Sequence, residues 1–378
     1  MPHWTNNPAI PSPCYVLEEA KLRKNLELMR KVQEQTGVEI ILALKGFSMW
    51  SAFPMISEYL QGGTASALWE AKLAKTLNGQ VHAFSPAFKT SEMPEIVAEV
   101  DHISFNSMAQ FLLHKSVCEK AGVSMGLRVN PEHQEADTAL YDPCAPGSRL
   151  GITKDQLDGQ PLKGIDGFHV HALCECDSYA TERMLKAIEK QFSGYFPQLK
   201  WLNLGGGHLM TRPGYDLSHL IDVLQSFKAK YPHLKIIMEP GSAVAWDTGP
   251  LIAEVVDIVE NNGPIGILDI SVTAHMPDVL EMPYRPHIMG AGEAGEYPYT
   301  YRFGGNSCLA GDVLPEYSFE TPIAVGQRII FNDMMHYTMV KTSFFNGVQH
   351  PAIGILRENG EFELVREFTY EDFLGRLS

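Results

Sequence analysis

The sequence lacks several features that would place it in a specialised class of protein. Its 378 residues contain no run of about 18 apolar residues, which a membrane-spanning helix requires. Its six cysteines form no CxxC pair and no dense framework, so we expect free thiols and a reducing compartment. The first residues include neither a basic segment nor an apolar one, so we expect no signal peptide and a cytoplasmic location.

Basic residues are also scarce. Lys and Arg number 30 against 45 Asp and Glu, which gives a formal net charge of -15. Nucleic acids and anionic membranes favour proteins with a basic face, so we expect neither as a partner. The acidic balance is compatible with a cationic ligand, although many enzymes are acidic for solubility alone. No repeat or low-complexity tract is present, and 45% hydrophobic residues allow a substantial core.

Helix-like and strand-like segments alternate through the first two-thirds of the chain. Apolar residues at helical spacing mark residues 18–37, 66–79, 107–122 and 179–192. Short apolar segments bounded by Gly, Pro or Asn are typical of buried parallel strands, at 39–46, 81–86, 102–107, 125–131, 167–173, 199–207 and 235–241. This alternation predicts an α/β fold with a (β/α)8 barrel over residues 22–245, whose active site lies where the strands end.

The pattern changes after the barrel. Strand-like segments joined by Gly and Asn turns predict an all-β domain over residues 246–378, with strands in 255–263, 265–272, 321–333, 336–347 and 351–367. Residues 1–21 are expected to add a strand to this domain through the segment 12–19.

Polar residues and glycines cluster at the predicted strand ends of the barrel, namely Lys45, Asn106, Asn130, His171, Gly205 and Glu239. Lys45 has apolar neighbours on both sides, and a lysine held among apolar groups responds with a lowered pKa. A neutral amine of this kind is the nucleophile that Schiff-base chemistry needs. The alternative is a lysine whose ammonium group extends from the strand end into solvent.

Two further strand ends suggest a phosphorylated cofactor. Gly205, Gly206 and Gly207 would let backbone N–H groups approach a phosphate, or they form only a tight turn. Glu239, in the segment EPG, would keep a pyridine nitrogen protonated, or it is a capping or salt-bridged acid.

The segment FHVHALCEC places His169 and His171 on the same face of a strand. With Cys174 and Cys176 nearby, the pair is compatible with a metal site. It is equally compatible with an imidazole stacked on a cofactor ring, or with two hydrogen-bonded core histidines. The chain has no further spaced set of ligands, so the metal site is the least favoured of the three.

Two residues of the C-terminal domain are also candidates. Cys308 lies among small residues in GGNSCLAGD, where its thiol would donate a proton or would be an inert small side chain. The Tyr337 hydroxyl would bind a phosphate, or the ring is an ordinary strand aromatic.

The order of these motifs is more distinctive than any one of them. ALKG, FHVHAL, GGG, EPG, GNSC and YT…FNG follow one another as in the fold-type III pyridoxal 5′-phosphate (PLP) decarboxylases, and the chain resembles that family over essentially its whole length. The resemblance implies an alanine-racemase-type barrel followed by a β domain. It also implies that Lys45 holds PLP covalently, His171 stacks on its ring and Glu239 pairs with the ring nitrogen.

The resemblance extends to the rest of the site. Gly205 to Gly207 and Tyr337 are expected to hold the phosphate. Cys308 is expected to protonate the α-carbon of the product and to reach into the site of a partner subunit, which implies a homodimer with shared active sites. Ornithine-type enzymes carry an arginine directly after EPG, where this chain has Ser242, so the phosphate grip is expected to differ.

Within the family, the segments GFHVHALCE, EPGSAVAW and TAHMPDVLEMPYRP are most similar to the carboxynorspermidine and carboxyspermidine decarboxylases. The expected products are norspermidine and spermidine, in polyamine biosynthesis. Acids are required for the substrate's amines, and the candidates are Glu239, Asp278, Glu281, Asp312 and Asp333, with Asp278 preferred. A decarboxylase of the diaminopimelate or ornithine type is one alternative, although Leu309 stands where the diaminopimelate enzymes carry an acid. A metal-dependent barrel hydrolase is the other.

Overall fold

The computed structural model describes residues 2–135 and 139–378. The strands, numbered along the chain, are β1 (Cys14–Glu18), β2 (Glu39–Ile40), β3 (Leu42–Ala43), β4 (Gly62–Ala65), β5 (Gln80–Phe84), β6 (His102–Phe105), β7 (Ser124–Arg128), β8 (Gly167–His169), β9 (Trp201–Asn203), β10 (Lys235–Met238), β11 (Leu251–Glu260), β12 (Pro264–Leu268), β13 (Tyr299–Gly304), β14 (Val313–Phe319), β15 (Arg328–Phe331), β16 (Ala352–Leu356) and β17 (Phe362–Arg366).

The α-helices are α1 (Glu19–Thr36), α2 (Phe53–Ile56), α3 (Leu68–Ala74), α4 (Met93–Glu99), α5 (Met108–Ala121), α6 (Lys154–Leu157), α7 (Ser178–Phe192), α8 (Leu217–Lys230), α9 (Ser242–Ala245), α10 (Val272–His275), α11 (Pro277–Glu281) and α12 (Tyr370–Leu377). Short 3-10 helices cover His3–Asn6, Trp50–Ala52, Ala139–Tyr141, Ser193–Gln198, Met339–Lys341 and Phe345–Gly347. Within the described residues, none of the helices is long and apolar enough to cross a bilayer. The chain divides into two compact units, one formed by Lys24–Val244 and the other by Met1–Arg23 together with Ala245–Ser378.

The unit Lys24–Val244 is a parallel barrel, closed by a single interrupted strand. Strands β2 and β3 are separated only by Ile41, and they pair in parallel with β10 and β4 respectively. Between β4 and β10 each strand pairs in parallel with the next one along the chain. Because β2 and β3 act as halves of one strand, the sheet has the eight-strand closure of a (β/α)8 barrel. The predicted fold class is therefore confirmed.

The barrel helices follow from their end signals. The Ser107 side chain accepts a hydrogen bond from the Gln110 N–H and so begins α5, and Gly122 ends it with a φ of 74°. Asp177 caps α7 in the same way through the Ala180 N–H. The four segments with helical spacing are confirmed as parts of α1, α3, α5 and α7. Strand β4, with the sequence GGTA, was not predicted, since two glycines in four residues give no apolar run.

The second unit contains a mostly antiparallel sheet in the order β14-β13-β12-β11-β1-β16-β17, with β15 also paired to β11. Strand β1 lies between β11 and β16, antiparallel to the first and parallel to the second. Residues preceding β1 are anchored by Arg328, whose guanidinium donates to the carbonyl oxygens of Thr5, Asn7 and Ile10. One strand prediction is wrong: residues 336–347 form turns and 3-10 helices, because Tyr337 and Asn346 take left-handed backbone angles that a strand excludes.

Two histidines stack near the start of the barrel strands. His82 and His102 have ring centroids 4.2 Å apart at an interplanar angle of 12°, and Trp201 meets His102 edge-on at 5.6 Å. Burial lowers the pKa of His102 to about 4 and the pKa of His82 well below its ordinary value, and in both cases the charge of Lys235 adds to the effect. Both imidazoles are therefore neutral in the native barrel at neutral pH.

This pair makes the barrel sensitive to acid. An unfolded histidine binds a proton below about pH 6.5, whereas native His102 binds one only near pH 4, so the unfolded state holds more protons in between. Stability is full above pH 6.5 and falls as the pH drops towards 4. For His102 alone we expect the free energy of unfolding to fall by roughly 2 kcal/mol between pH 7.5 and 5.

Urea unfolding at the two pH values measures this loss. His102→Gln should reduce it by about that amount, because the titrating group is gone. His3→Gln, at an exposed position, serves as the control and should leave it unchanged. An equal loss in His102→Gln and the wild type would show that other groups cause the acid sensitivity.

Candidate active site

A cavity of about 190 Å³ lies where the barrel strands end. Its walls come from six strand ends and the loops that follow them, and are formed by Ala43, Lys45, Thr64, Ala65, Ser66, Phe84, Pro86, Arg128, Leu150, His169, His171 and Glu239. The sequence-predicted residues Lys45, His171 and Glu239 are thus brought together at one place. Such convergence at the C-terminal rim of a parallel barrel is where active sites of this architecture form.

Lys45 is placed by a close approach of two loops. It follows β3, and a Cβ atom added to the next residue, Gly46, would lie 2.6 Å from the Cα of Gly241. The Lys45 side chain is open to the cavity but surrounded by dense protein, which lowers the pKa of its amine. The charge of Arg128 lowers the pKa further, while Glu239 opposes the shift. The balance makes a neutral, nucleophilic amine more accessible than in a free lysine.

Glu239 is a buried carboxylate, 7% exposed, at the end of β10. Its Oε1 accepts a hydrogen bond of 2.6 Å from Nδ2 of Asn203, and its Oε2 lies 3.5 Å from Nε2 of His169. Burial raises the pKa of Glu239, and the Asn203 hydrogen bond and the charge of Lys45 act in the opposite direction. A buried carboxyl group with a raised pKa is suited to share a proton with a basic nitrogen beside it.

The two histidines of FHVHAL have different surroundings. Nδ1 of His171 accepts a hydrogen bond of 2.8 Å from the Gly206 N–H, which leaves its Nε2 as the protonated nitrogen of a neutral ring. His169 is 3% exposed. Burial holds the pKa of both rings well below the ordinary value, and the charges of Lys45 and Arg128 contribute. The rings lie 6.4 Å apart at 72°, so they do not stack on each other.

The glycine loop after β9 is too crowded for side chains. Gly205 and Gly207 have φ angles of 65° and 87°. An added Cβ would lie 2.6 Å from the Glu239 carbonyl oxygen at Gly206, and 2.1 Å from the Leu173 carbonyl oxygen at Gly207. The N–H groups of Gly205 and Gly206 donate to Asn203 and His171, so the loop is fixed directly against the cavity residues.

Two of the strand-end residues have structural partners. Asn106 and Asn130 both bind the segment 149–151, through the carbonyl oxygens of Arg149 and Leu150, and Asn106 also accepts the Gly151 N–H. Their role is to hold a loop that contributes Leu150 to the cavity wall.

Arg128 was not predicted from the sequence as a site residue. It is 4% exposed and donates a hydrogen bond of 3.0 Å to the carbonyl oxygen of His171, with its guanidinium 4.5 Å from the centre of the Phe84 ring. An arginine in the apolar segment MGLRVNP is the signal that would have identified it, because arginine is rarely buried without a partner. Asn203, which precedes the glycine loop, was missed because its neighbours carry the stronger motif.

A metal site receives no support from the described residues. Over 2–135 and 139–378 there is no group of three or more His, Cys, Asp or Glu side chains suited to hold a metal ion. His169 faces Glu239 instead, and Cys176 donates its thiol proton to the carbonyl oxygen of Cys174.

The remaining predicted residues lie on the other unit. Cys308 is exposed, and its N–H and Sγ both donate to Oδ1 of Asn346, at 2.7 and 2.9 Å. Asn346 has a φ of 60°, an uncommon backbone angle for a residue with a side chain. A single amide oxygen therefore fixes both the backbone and the thiol of Cys308.

Asp278 differs from the other predicted acids. It is 7% exposed, and its Oδ2 accepts hydrogen bonds from the Tyr284 hydroxyl at 2.9 Å and the Thr338 hydroxyl at 2.8 Å. Its Oδ1 is buried and has no hydrogen-bond partner among the described residues. Thr338 adjoins Tyr337, whose φ of 44° is strained for an aromatic residue. A buried oxygen of this kind calls for an explanation, because buried polar atoms are normally hydrogen-bonded.

The other three acids of this unit are occupied. Asp312 accepts hydrogen bonds from Ser307 and from the Thr273 N–H, and so fixes the loop that carries Cys308. Glu281 forms an ion pair with Lys341. Asp333 accepts the Asp247 N–H and lies 3.2 Å from Nε2 of His336.

Comparison with known proteins agrees with this geometry. Residues 14–335 match the family described as pyridoxal-dependent decarboxylase, C-terminal sheet domain. The chain therefore belongs to the pyridoxal-dependent decarboxylases, and the resemblance inferred from the order of its motifs is confirmed.

Individual relatives are similar over nearly the whole chain. A carboxyaminopropylagmatine decarboxylase from Synechocystis is 50% identical, covering 98% of this chain and 96% of the relative. A carboxynorspermidine/carboxyspermidine decarboxylase from Campylobacter jejuni is 44% identical, with 96% and 98% covered. The crystal structure of a carboxynorspermidine decarboxylase complexed with norspermidine, also from Campylobacter jejuni, has a TM-score of 0.91 and 42% identity over 97% of this chain and all of that one.

Proposed function

We propose that the protein decarboxylates carboxynorspermidine or carboxyspermidine with PLP held on Lys45, yielding norspermidine or spermidine. The observation that carries the proposal is the convergence of Lys45, His171 and Glu239 on one cavity, in a chain whose relatives act on carboxylated polyamine precursors. A metal-dependent hydrolase would need a ligand set that the described residues do not provide.

The residues of the cavity fit PLP chemically. Lys45 supplies an amine with a lowered pKa, as covalent attachment to an aldehyde requires. Glu239 supplies a buried carboxyl for the ring nitrogen, and the His171 ring supplies a flat neutral face. The glycine loop at Gly205–Gly207 supplies a surface without side chains for the phosphate. The resemblance to the family assigns the Tyr337 hydroxyl, which belongs to the other unit, to the same group. The pyridinium ring supplies an electron sink when PLP is bound.

Each of the proposed site residues then has a separate role. Glu239 holds a proton on the ring nitrogen, and Asn203 fixes the direction of that carboxyl. Lys45 exchanges protons with the substrate's α-amine. The apolar part of the cavity wall, which includes Phe84 and Leu150, keeps water from the reacting carboxylate and favours its loss as carbon dioxide. The Sγ atom of Cys308 donates a proton to the α-carbon that the carboxylate leaves.

The same assignment includes a homodimer in which Cys308 serves the site of the partner subunit. Its support is the exposure of the Cys308 thiol, together with the fixed direction that Asn346 gives it. A thiol oriented on the surface of one subunit is suited to complete a neighbouring site.

A second substrate, carboxyaminopropylagmatine, is favoured by the 50% identity to the Synechocystis relative. It would present a guanidinium group where the polyamine precursors present an amine. Carbon dioxide release from carboxynorspermidine, carboxyspermidine, carboxyaminopropylagmatine, diaminopimelate and ornithine, measured side by side with added PLP, tests the proposal. Release from diaminopimelate or ornithine alone would contradict it.

Asp278 is our choice for the acid that binds the substrate's distal amine, since its Oδ1 has no hydrogen-bond partner in the described part of the chain. Asp278→Asn keeps the shape and the Oδ2 position but removes the charge. We expect KM to rise about 10- to 100-fold, the equivalent of one hydrogen bond to a charged group, with a smaller change in kcat.

Glu320→Gln, at an exposed acid of the same unit, is the matched control and should leave KM within about twofold, as expected for a surface charge. Steady-state kinetics over a wide substrate range separates KM from kcat. An unchanged KM in Asp278→Asn would assign the distal amine to another acid.

A further inference from the structure

The Asn203 side chain contacts both Glu239 and the glycine loop Gly205–Gly207, which belong to separate sequence motifs. We propose that Asn203 is a positioning residue, which fixes the Glu239 carboxyl and the glycine loop relative to each other and so sets both the affinity for PLP and the pH range of the site. The inference rests on the proposed function, since it concerns how this chain receives PLP.

The amide is held at both ends. Its Oδ1 accepts a hydrogen bond of 2.8 Å from the Gly205 N–H, and its Nδ2 donates one of 2.6 Å to Oε1 of Glu239. The side chain is 2% exposed, so neither bond is exchanged with water. Flipping the amide would set oxygen against carboxylate and N–H against N–H, so its orientation is fixed by its partners.

This arrangement determines which oxygen of Glu239 is free. Asn203 occupies Oε1, and Oε2 faces Nε2 of His169, which lies at 3.5 Å without a hydrogen bond. The charged and titratable groups that act on the carboxyl are Lys45, Arg128 and His169, and Thr64 donates a hydrogen bond. Among the described side chains that act on the carboxyl, that of Asn203 is hydrogen-bonded to the glycine loop, and the Glu239 N–H also donates to the Gly205 carbonyl oxygen.

The physical consequence has a definite sign. Burial favours the protonated form of Glu239, and a donated hydrogen bond favours the ionised form. Loss of the Asn203 amide should therefore raise the pKa of Glu239. A site that needs the ionised carboxylate would then fail at a higher pH than in the wild type.

Two substitutions separate the two hydrogen bonds. Asn203→Ala removes both. Asn203→Asp keeps an acceptor for the Gly205 N–H but places a second carboxylate against Glu239, and two adjacent carboxyl groups must share a proton. Asn25→Ala is the control, because Asn25 is a buried asparagine of the same unit whose Nδ2 donates to the Val244 carbonyl oxygen and which does not line the cavity.

The measurements are the dissociation constant for PLP, obtained by titrating cofactor-free protein, and the pH midpoint of the visible absorption of the loaded protein. For Asn203→Ala we expect affinity to fall about 10- to 100-fold, as for the loss of a hydrogen bond to a charged group. For Asn203→Asp we expect a smaller loss of affinity but a midpoint about one pH unit higher. In both variants kcat should fall while KM stays within about twofold, because Asn203 does not line the cavity.

The outcomes are distinguishable. A wild-type chain that binds no PLP overturns the proposed function, and this inference with it. A wild-type chain that binds PLP, with Asn203 variants that match Asn25→Ala in affinity and pH midpoint, overturns this inference alone. If Asn203→Ala fails to fold, the pH midpoint of Asn203→Asp still decides the question.

Discussion

Lys45→Ala should eliminate the near-visible absorption band of the purified protein and lower kcat by about 10⁴-fold or more, at the upper end of the range for a group that moves protons in a transition state. The effect is large because, under the proposed function, one amine both holds the cofactor and exchanges protons with the substrate. The lowered pKa of Lys45 supports this dual role, since the neutral form must be accessible. Absorption spectra recorded before and after borohydride reduction measure the band, and mass analysis of the reduced protein identifies the lysine that carries the cofactor.

In the wild type, borohydride should abolish the band and fix the cofactor to the peptide that contains Lys45. Lys235→Ala is a suitable control, since Lys235 belongs to the same barrel but pairs with Glu39 at the start of β10. It should retain both the band and the labelled peptide. A Lys45→Ala protein that keeps a borohydride-sensitive band would place the cofactor on another lysine.

The barrel was predictable because its strands are buried on both faces and are therefore apolar runs. IILAL and, after its lysine, KIIM are continuous apolar runs and are therefore easily recognised as buried strands. Strand β4, with the sequence GGTA, pairs through its backbone but has too few apolar side chains to be recognised. Gly62 and Gly63 are required there by crowding: an added Cβ at Gly62 would lie 1.9 Å from the Gln80 carbonyl oxygen. Strands of this kind are determined by their neighbours, and a local pattern does not identify them.

The second unit was harder to predict for a related reason. Strands β13 and β14 contain both exposed and buried residues and include Arg302 and Glu316, so their sequences are not apolar runs. Conversely, HYTMVKTSFFNG has the composition of a strand, but Tyr337 and Asn346 take left-handed angles. In this segment tertiary contacts, such as that of Asn346 with Cys308, outweigh β propensity.

The site shows the same division between motif and context. Lys45, His171 and Glu239 follow recognisable strands, so their shared location at the barrel rim could be predicted. Asn203 and Arg128 could not be assigned a role, because their partners come from β10 and from the end of β8. The order of preference among the four acids of the second unit likewise depends on which oxygen atoms the fold leaves without a donor.

Cys308→Ala should lower kcat by about 10²- to 10⁴-fold, the range for removal of a proton donor in the transition state. The visible band and the affinity for PLP should be unchanged, because the substitution leaves Lys45, Glu239 and the glycine loop, which hold the cofactor under the proposal, in place. Asn346→Ala keeps the thiol but removes the amide oxygen that accepts its hydrogen bond. This variant should lower kcat about tenfold, consistent with loss of a hydrogen bond of ordinary strength. Single-turnover measurement of carbon dioxide release and of product formation distinguishes loss of the carboxylate from the later protonation.

The same variant tests whether the sites are shared between subunits. Lys45→Ala and Cys308→Ala homodimers are each inactive under the proposal, but a mixed dimer contains one site with both substitutions and one with neither. Exchange of equal amounts should therefore restore about a quarter of wild-type activity, because half of the dimers are mixed and each has one intact site. Because the expected activity follows from counting sites, subunits that exchange without any recovery of activity would place Cys308 and Lys45 of the same chain in one site.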